Sequence, residues 1–347
     1  MKAYQLTKWL ADGEVREVPV PEPKALQVLV KIGGAGACHS DLHFFESDGK
    51  NPFQASWHLP FTLGHENAGW VEKIGPGVTG LSPGDPVIVY CTWGCGACRN
   101  CRADLEQYCE KSAVMTEGAG IGHDGGLAEY LLVPAARFLL PLDGLHPRDA
   151  APLADAGLTP YHAVKCSLEL LKPGSTAVII GAGGLGQMAI QIIKALSPAR
   201  VIAVDSAEQK LQAATQFGAD AAVRSGDEAA KQIRDLTEGK GAEVVLDIVG
   251  VDATLKLAAE VARPLGRLTV VGAGLGTLPF NFIQVPLRCA VSTTYYGTKN
   301  ELLEVVALAN AGKLRAEIEF FTLDQAGEAY RRLRRGAIRG RAVITPT

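Results

Sequence analysis

Cys95, Cys98, Cys101 and Cys109 stand in a C-x2-C-x2-C-x7-C run. Four thiolates brought this close can enclose a Zn²⁺ ion tetrahedrally and leave no position for water or substrate, so the site they predict fixes a loop and performs no reaction. The competing assignment is a pair of disulfides. Cysteines three residues apart fit disulfide geometry poorly, and the first residues do not read as a secretory signal, so zinc is the expectation.

A second pattern concerns phosphate. Gly181-Ala182-Gly183-Gly184-Leu185-Gly186 is a G-x-G-x-x-G that directly follows the apolar run 176–180 and opens a segment in which Leu185, Met188, Ala189, Ile192 and Leu196 recur at helical spacing. The bare positions let the backbone turn tightly and approach a pyrophosphate, whose charge then faces the free N–H groups of a helix start. Gly181, Gly183, Gly184, Leu185 and Gly186 are therefore candidate dinucleotide contacts. Asp205 ends the next predicted strand, where a carboxylate can accept from both adenosine ribose hydroxyls and repel a 2′-phosphate, so NAD is expected over NADP. Lys210 joins this candidate set. A merely tight turn would account for the glycines but leave the strand, helix and acid without a reason. Gly272-Ala273-Gly274-Leu275-Gly276 follows a later strand and is expected to shape the nicotinamide end of the crevice.

Gly64-His65-Glu66-Asn67-Ala68-Gly69, with Gly75 and Val78 beyond it, comes after Cys38-His39-Ser40-Asp41. Here the chain resembles the zinc-containing medium-chain alcohol dehydrogenases, and in particular bacterial secondary-alcohol dehydrogenases. G-H-E-x2-G-x5-G-x2-V matches in full, and C-H-S-D, the four-cysteine loop and the dinucleotide pattern occur in that family's order over essentially the whole chain. The resemblance implies a second, catalytic zinc held by Cys38 and His65. The family's third ligand is often cysteine, whereas the matching position here is Asp155, an acceptable oxygen ligand that keeps two anions in the set and makes the site harder. Asp155 as a helix-start cap is the alternative.

The same resemblance places Glu66 behind the metal as a transient ligand. Asp41 is suited to bond the second nitrogen of His65 and fix its tautomer. Either acid could instead be an ion-paired structural group. An alcohol at the open zinc position becomes more acidic and can give hydride to C4 of the nicotinamide. Its proton would leave by way of Ser40 toward His43, and His39 would contact the pyrophosphate. Trp57, Tyr295 and Tyr296 match substrate-facing positions, with Phe44 a nearby candidate, which suggests a roomy apolar pocket for secondary or aryl alcohols and their ketones, with primary alcohols and aldehydes also possible substrates. A polyol or amino-alcohol dehydrogenase of the same superfamily is the runner-up. A zinc-loop interaction module would leave the second constellation and the dinucleotide pattern unused.

The elements that must position these groups change character near residue 150. Before it, short β-type segments are punctuated by Gly and Pro: 27–32, 69–74, 86–90 and 128–133. After it, apolar strands at 176–180, 201–204, 244–248 and 268–271 alternate with helical stretches at 208–217, 228–236 and 253–261. That alternation predicts an α/β chain with a doubly wound parallel sheet, a Rossmann cofactor domain at 153–295. Beyond it, 301–310 and 325–334 read as helices around a β-type 318–322. By resemblance this tail rejoins the β-rich, GroES-like catalytic domain, making that domain 1–152 plus 296–347.

The net charge of −3 over 347 residues gives no reason to expect nucleic acid or an anionic membrane. The local exception is Arg331, Arg332, Arg334, Arg335 and Arg339, read as a solvated helix face or a subunit contact. Eight cysteines without a secretory signal suit a reducing cytoplasm, and Cys91, Cys166 and Cys289 are expected to be buried small apolar residues. A homodimer or homotetramer joined through strands near 290–294 is implied by the resemblance.

Overall fold

The structure, a computed structural model, describes residues 1–50, 54 and 57–346. It consists of two compact units. One comprises residues 1–158, 297–312 and 316–347; the other comprises 159–296 and 313–315.

The first unit is built around the long strand Val28–Ala37. Its apolar start, Val28-Leu29-Val30, is buried, and it pairs antiparallel with Tyr130–Val133, Glu66–Ile74 and Arg341–Thr345. The register fixes which residues meet. Gly36 lies opposite Glu66, and Ala37 lies opposite Ala342, so the strand end that leads into Cys38 sits between Glu66 and the C-terminal strand. Close approach at this point needs a bare backbone: a Cβ on Gly36 would fall 1.9 Å from Glu66 Oε2. The helix His39–Glu46 starts at once after the strand, with Cys38 as its cap residue.

The second unit carries a six-stranded parallel sheet in the order Ala221–Arg224, Arg200–Asp205, Thr176–Ile180, Ala242–Asp247, Ala262–Val270, Ala290–Thr293. Its centre is the wholly buried Thr176–Ile180, and Val178, Ile180, Ile202, Val204, Val245 and Leu268 belong to its core. This is the doubly wound arrangement the alternation predicts, and the β-rich unit beside it in sequence is the expected second architecture.

Two points differ from expectation. Ala221–Arg224 is a strand the sequence reading passed over, because an edge strand with exposed residues needs no apolar run. Cys91 and Cys289 are buried as expected, but Cys166 is exposed, its Sγ 3.8 Å from His162 Nε2. The basic cluster lies on a solvent-exposed face, as one of its two expected readings has it, and its charges are compensated there: Arg331 and Arg335 meet Glu328, Arg332 meets Glu319, Arg334 meets Asp12 and Glu46, and Arg339 meets Glu317. Among the described residues no helix is long and apolar enough to cross a membrane.

Candidate active site and metal centres

The four-cysteine loop closes on itself. Donor atoms of Cys95, Cys98, Cys101 and Cys109 lie within 4.8 Å of one another, and none of the four is in a disulfide. The Sγ atoms of Cys95 and Cys101 are 3.9 Å apart, close to the edge of roughly 3.8 Å that four Zn–S bonds give a tetrahedron. The local backbone prepares thiolates. Cys95 Sγ accepts from the amides of Ala97 and Cys98 at 3.5 and 3.4 Å, which pull its pKa down to about 6. Cys98 Sγ accepts from the Cys101 amide that opens the short helix Arg99–Arg102. Burial pushes the Cys101 thiol the other way, to about 12, a cost that a cation in the cluster offsets. Lys299 holds the loop from outside, contacting the buried Glu106, with Asp104 3.4 Å away.

The second cluster joins Cys38, His65, Glu66 and Asp155, all buried, with donor atoms again within 4.8 Å. Asp155 Oδ2 is 3.6 Å from Cys38 Sγ and 3.5 Å from His65 Nε2. Tetrahedral zinc with N, O and S ligands requires edges of roughly 3.3–3.8 Å, so this donor set fits zinc in spacing as well as in type. Asp155 follows the turn Ala151–Ala154, three residues before the helix Leu158–Lys165, and its Oδ2 faces Cys38 and His65.

Charge supports the same assignment. Glu66 Oε1 is paired with the buried guanidinium of Arg341, while Glu66 Oε2 is buried and has no hydrogen-bond partner among the described residues. Burial raises the Glu66 carboxyl to about 7, with Arg341 opposing. The acidic and thiol groups of the cluster outnumber the single guanidinium of Arg341 beside them, so the buried donor set favours a cation. Arg341 escaped the sequence reading. It is one arginine in a basic tail, and only the pairing of Ala37 with Ala342 reveals where it points.

Asp41 is fully buried on the helix that starts after Cys38. Its Oδ1 is 3.1 Å from His65 Nδ1, and its Oδ2 accepts from the Cys38 amide at 3.0 Å and from the Tyr330 hydroxyl at 2.7 Å. Burial alone would lower the His65 pKa, yet Asp41 and Asp155 hold it well above its ordinary value. A proton kept at Nδ1 leaves Nε2 for a metal. Ser40 Oγ stands 3.4 Å from that Nε2, at the donor cluster. His39, Ser40 and His43 share the outward side of their helix by i, i+3 and i+4 spacing, with His39 and His43 exposed.

Trp57 and Phe44 meet edge to face at 4.9 Å, and the Trp57 indole donates to Glu117 at 3.1 Å. Tyr295 and Tyr296 form a comparable pair at 4.9 Å in the other unit, where Tyr296 takes a left-handed backbone with φ +48°.

At the glycine-rich turn, Gly183 precedes the helix Gly184–Leu196 and has no atom within 4 Å of where a Cβ would stand, leaving room for a ligand. Gly186 is fixed for another reason, since its Cβ would lie 1.9 Å from Gly181 O. Asp205 ends its strand as expected, but it also serves the backbone: Oδ2 accepts from Ala182 at 2.8 Å and Oδ1 from Ala207 at 3.0 Å. Lone pairs remain on both oxygens for ribose hydroxyls. Gly181 and Leu185 flank this turn, and Lys210 lies in the first turn of Glu208–Gln216. Gly272 and Gly274 let their loop press on Ile248–Gly250, where Asp247 Oδ1 accepts from the amides of Val249 and Gly250.

Residues 24–144 match the family model described as the alcohol dehydrogenase GroES-like domain, and residues 184–311 match that of the zinc-binding dehydrogenases. The chain is 38% identical to an NAD-dependent alcohol dehydrogenase of Sulfurisphaera tokodaii, over 100% of both chains. It is 34% identical to a D-arabinose 1-dehydrogenase (NADP(+)) of Saccharolobus solfataricus, over 99% of this chain and 97% of that one. The crystal structure of the alcohol dehydrogenase from Aeropyrum pernix aligns with a TM-score of 0.93 at 37% identity, covering 100% of each chain. Two donor clusters of the right chemistry, a dinucleotide turn and likeness over the full length have one common explanation: the chain belongs to the zinc-containing medium-chain alcohol dehydrogenases.

Proposed function

We propose that this enzyme interconverts secondary or aryl alcohols and their ketones, and less readily primary alcohols and aldehydes, using NAD. The observation that carries the reading is the convergence of Cys38, His65 and Asp155 at tetrahedral spacing with the Ser40 hydroxyl beside them. Zinc held by those three residues supplies Lewis acidity to a substrate oxygen, and NAD supplies the hydride acceptor. The chain's own groups do the rest. Ser40 Oγ takes the proton of the alcohol and passes it toward His43 on the exposed side of the helix. Asp41 holds the His65 ring, and Glu66, tethered by Arg341, stands behind the donors as a transient ligand. The turn 181–186 is the proposed pyrophosphate cradle, and a pyrophosphate role for His39 rests on the family resemblance alone. Asp205 receives the ribose hydroxyls, with Lys210 nearby in sequence. Phe44 and Trp57, which pack together in the first unit, are the proposed substrate-facing aromatics there, and Tyr295 and Tyr296 keep that role by the family resemblance alone.

In this reading the unit of residues 1–158, 297–312 and 316–347 is the catalytic domain, its boundary six residues later than the expected 152 so that it includes Asp155, and the unit of 159–296 and 313–315 is the NAD domain. Eight cysteines without a disulfide support a reducing cytoplasm. A homodimer, or a tetramer built from it, is supported by the second unit. Its sheet ends in the strand Ala290–Thr293, and the preceding segment exposes Phe280, Phe282, Ile283 and Leu287, all more than half accessible. Light scattering should therefore return at least twice the 36.6 kDa chain mass, and a monomer at working concentration would remove this part of the reading.

Likeness to a D-arabinose dehydrogenase keeps a polyol substrate as the second reading. A panel of aryl, secondary, primary and polyol substrates, followed by nicotinamide absorbance with NAD and NADP in both directions, separates the two. Aryl and secondary alcohols should turn over with NAD. Asp205→Ser should shift the NAD to NADP preference by about tenfold toward NADP, because a charged acceptor for the ribose is lost. Turnover confined to polyols with NADP would overturn the proposal.

A further inference from the structure

We propose that Tyr330 is a positioning residue of the catalytic metal site, its hydroxyl fixing the Asp41 carboxylate that in turn orients His65. The inference rests on the reading of Cys38, His65 and Asp155 as zinc ligands.

Asp41 is buried from water, so its orientation is set by its protein donors alone. Two of them share Oδ2: the Cys38 amide at 3.0 Å and the Tyr330 hydroxyl at 2.7 Å. Oδ1 is thereby left beside the His65 ring, 3.1 Å from Nδ1 and within ion-pair reach. The amide alone is one fixed point about which a carboxylate can turn. A second donor on the same oxygen, arriving from a different element, removes that freedom. Of these two donors, Tyr330 makes the shorter contact and is the one remote in sequence, 289 residues from Asp41.

The ring is placed independently of its hydroxyl. Tyr330 sits on the helix Ala326–Arg334, stacks on Tyr4 at 5.7 Å and meets Phe45 edge on at 5.0 Å. Phe45 lies one turn beyond Asp41 on the same helix, so the packing that seats the ring also brings its oxygen to the carboxylate. An apolar core position would be filled as well by Phe. The hydroxyl is the part that packing does not explain, and Asp41 is its acceptor.

The test uses the full zinc-loaded chain and a chromogenic chelator in excess. The wild type should release two zinc ions in separate phases, the four-cysteine ion serving as an internal reference. Tyr330→Phe keeps the ring and should speed release from the catalytic site by about tenfold, the lower end of what outer contacts to ligands contribute, with the four-cysteine phase unchanged. Cobalt in the catalytic position should show altered visible bands in the same variant. Tyr4→Phe, which trims a neighbouring hydroxyl with no hydrogen-bond partner among the described residues, should release at the wild-type rate. In an Asp41→Asn background, Tyr330→Phe should have no further effect. Catalytic-site release that is unchanged or slower, equal acceleration of both phases, or an acceleration that persists without Asp41 would overturn the inference. A wild-type chain holding only the four-cysteine zinc would overturn the zinc reading instead.

Discussion

Asp155→Asn is expected to lose the catalytic zinc selectively, leave the four-cysteine ion in place and lower turnover by on the order of 10²–10³-fold, the contribution of several kcal/mol of charge stabilisation at the substrate oxygen. The amide matches the carboxylate in size, so the loss isolates charge. Asp155 Oδ2 lies 3.6 Å from Cys38 Sγ and 3.5 Å from His65 Nε2, and the neutral side chain leaves a cation there with one fewer anion. Asp155→Cys restores the anion and should hold two zinc ions, with a rate changed by the longer, softer bond. Zinc content measured beside turnover decides the matter. Two zinc ions and near-normal turnover in Asp155→Asn would show that the third ligand lies elsewhere, Glu66 being the first to examine.

The second large effect is one of stability. Arg341→Met should destabilise the fold by about 3–5 kcal/mol at neutral pH, because it strands the Glu66 carboxylate in a fully buried position. Protonation sets the sign of the pH dependence. Burial holds the folded-state pKa of Glu66 above its unfolded value, at about 7 even with Arg341 present, and the substitution raises it further. The folded variant therefore binds a proton that the unfolded chain does not. Its deficit should grow as pH rises from the unfolded carboxyl range through neutrality and shrink toward pH 5. Denaturant unfolding of both proteins across that interval measures it, and a deficit independent of pH would mean that Glu66 is not the group left stranded.

The parts of this architecture that announce themselves in sequence are those with short-range rules. Thr176–Ile180 and Ile318–Thr322 were readable to the residue because an apolar or alternating run ends abruptly at each side. The strand Ala262–Val270 was readable only from Leu268 onward, since Pro264 and Gly266 mask its first half. The cysteine loop needed spacing alone. The other donor set needed the family likeness, because His65 and Asp155 are ninety residues apart and nothing local marks them as neighbours. Tyr330 and Arg341 gave no signal at all. One looks like the apolar side of an amphipathic helix and the other like part of a basic tail, and only strand register and helix packing turn them toward Asp41 and Glu66.

The pairing of Glu66 with Arg341 across 275 positions has a consequence for biosynthesis. A nascent chain that has emerged past residue 155 already owns every proposed ligand of the catalytic zinc, yet the groups that restrain Asp41 and Glu66 are translated last. At ordinary elongation rates that interval is about ten to forty seconds. Arrival of the final strand beside Val28–Ala37 then sets Arg341 against Glu66, so the charge pairing behind the donor set is completed only with the last residues of the chain.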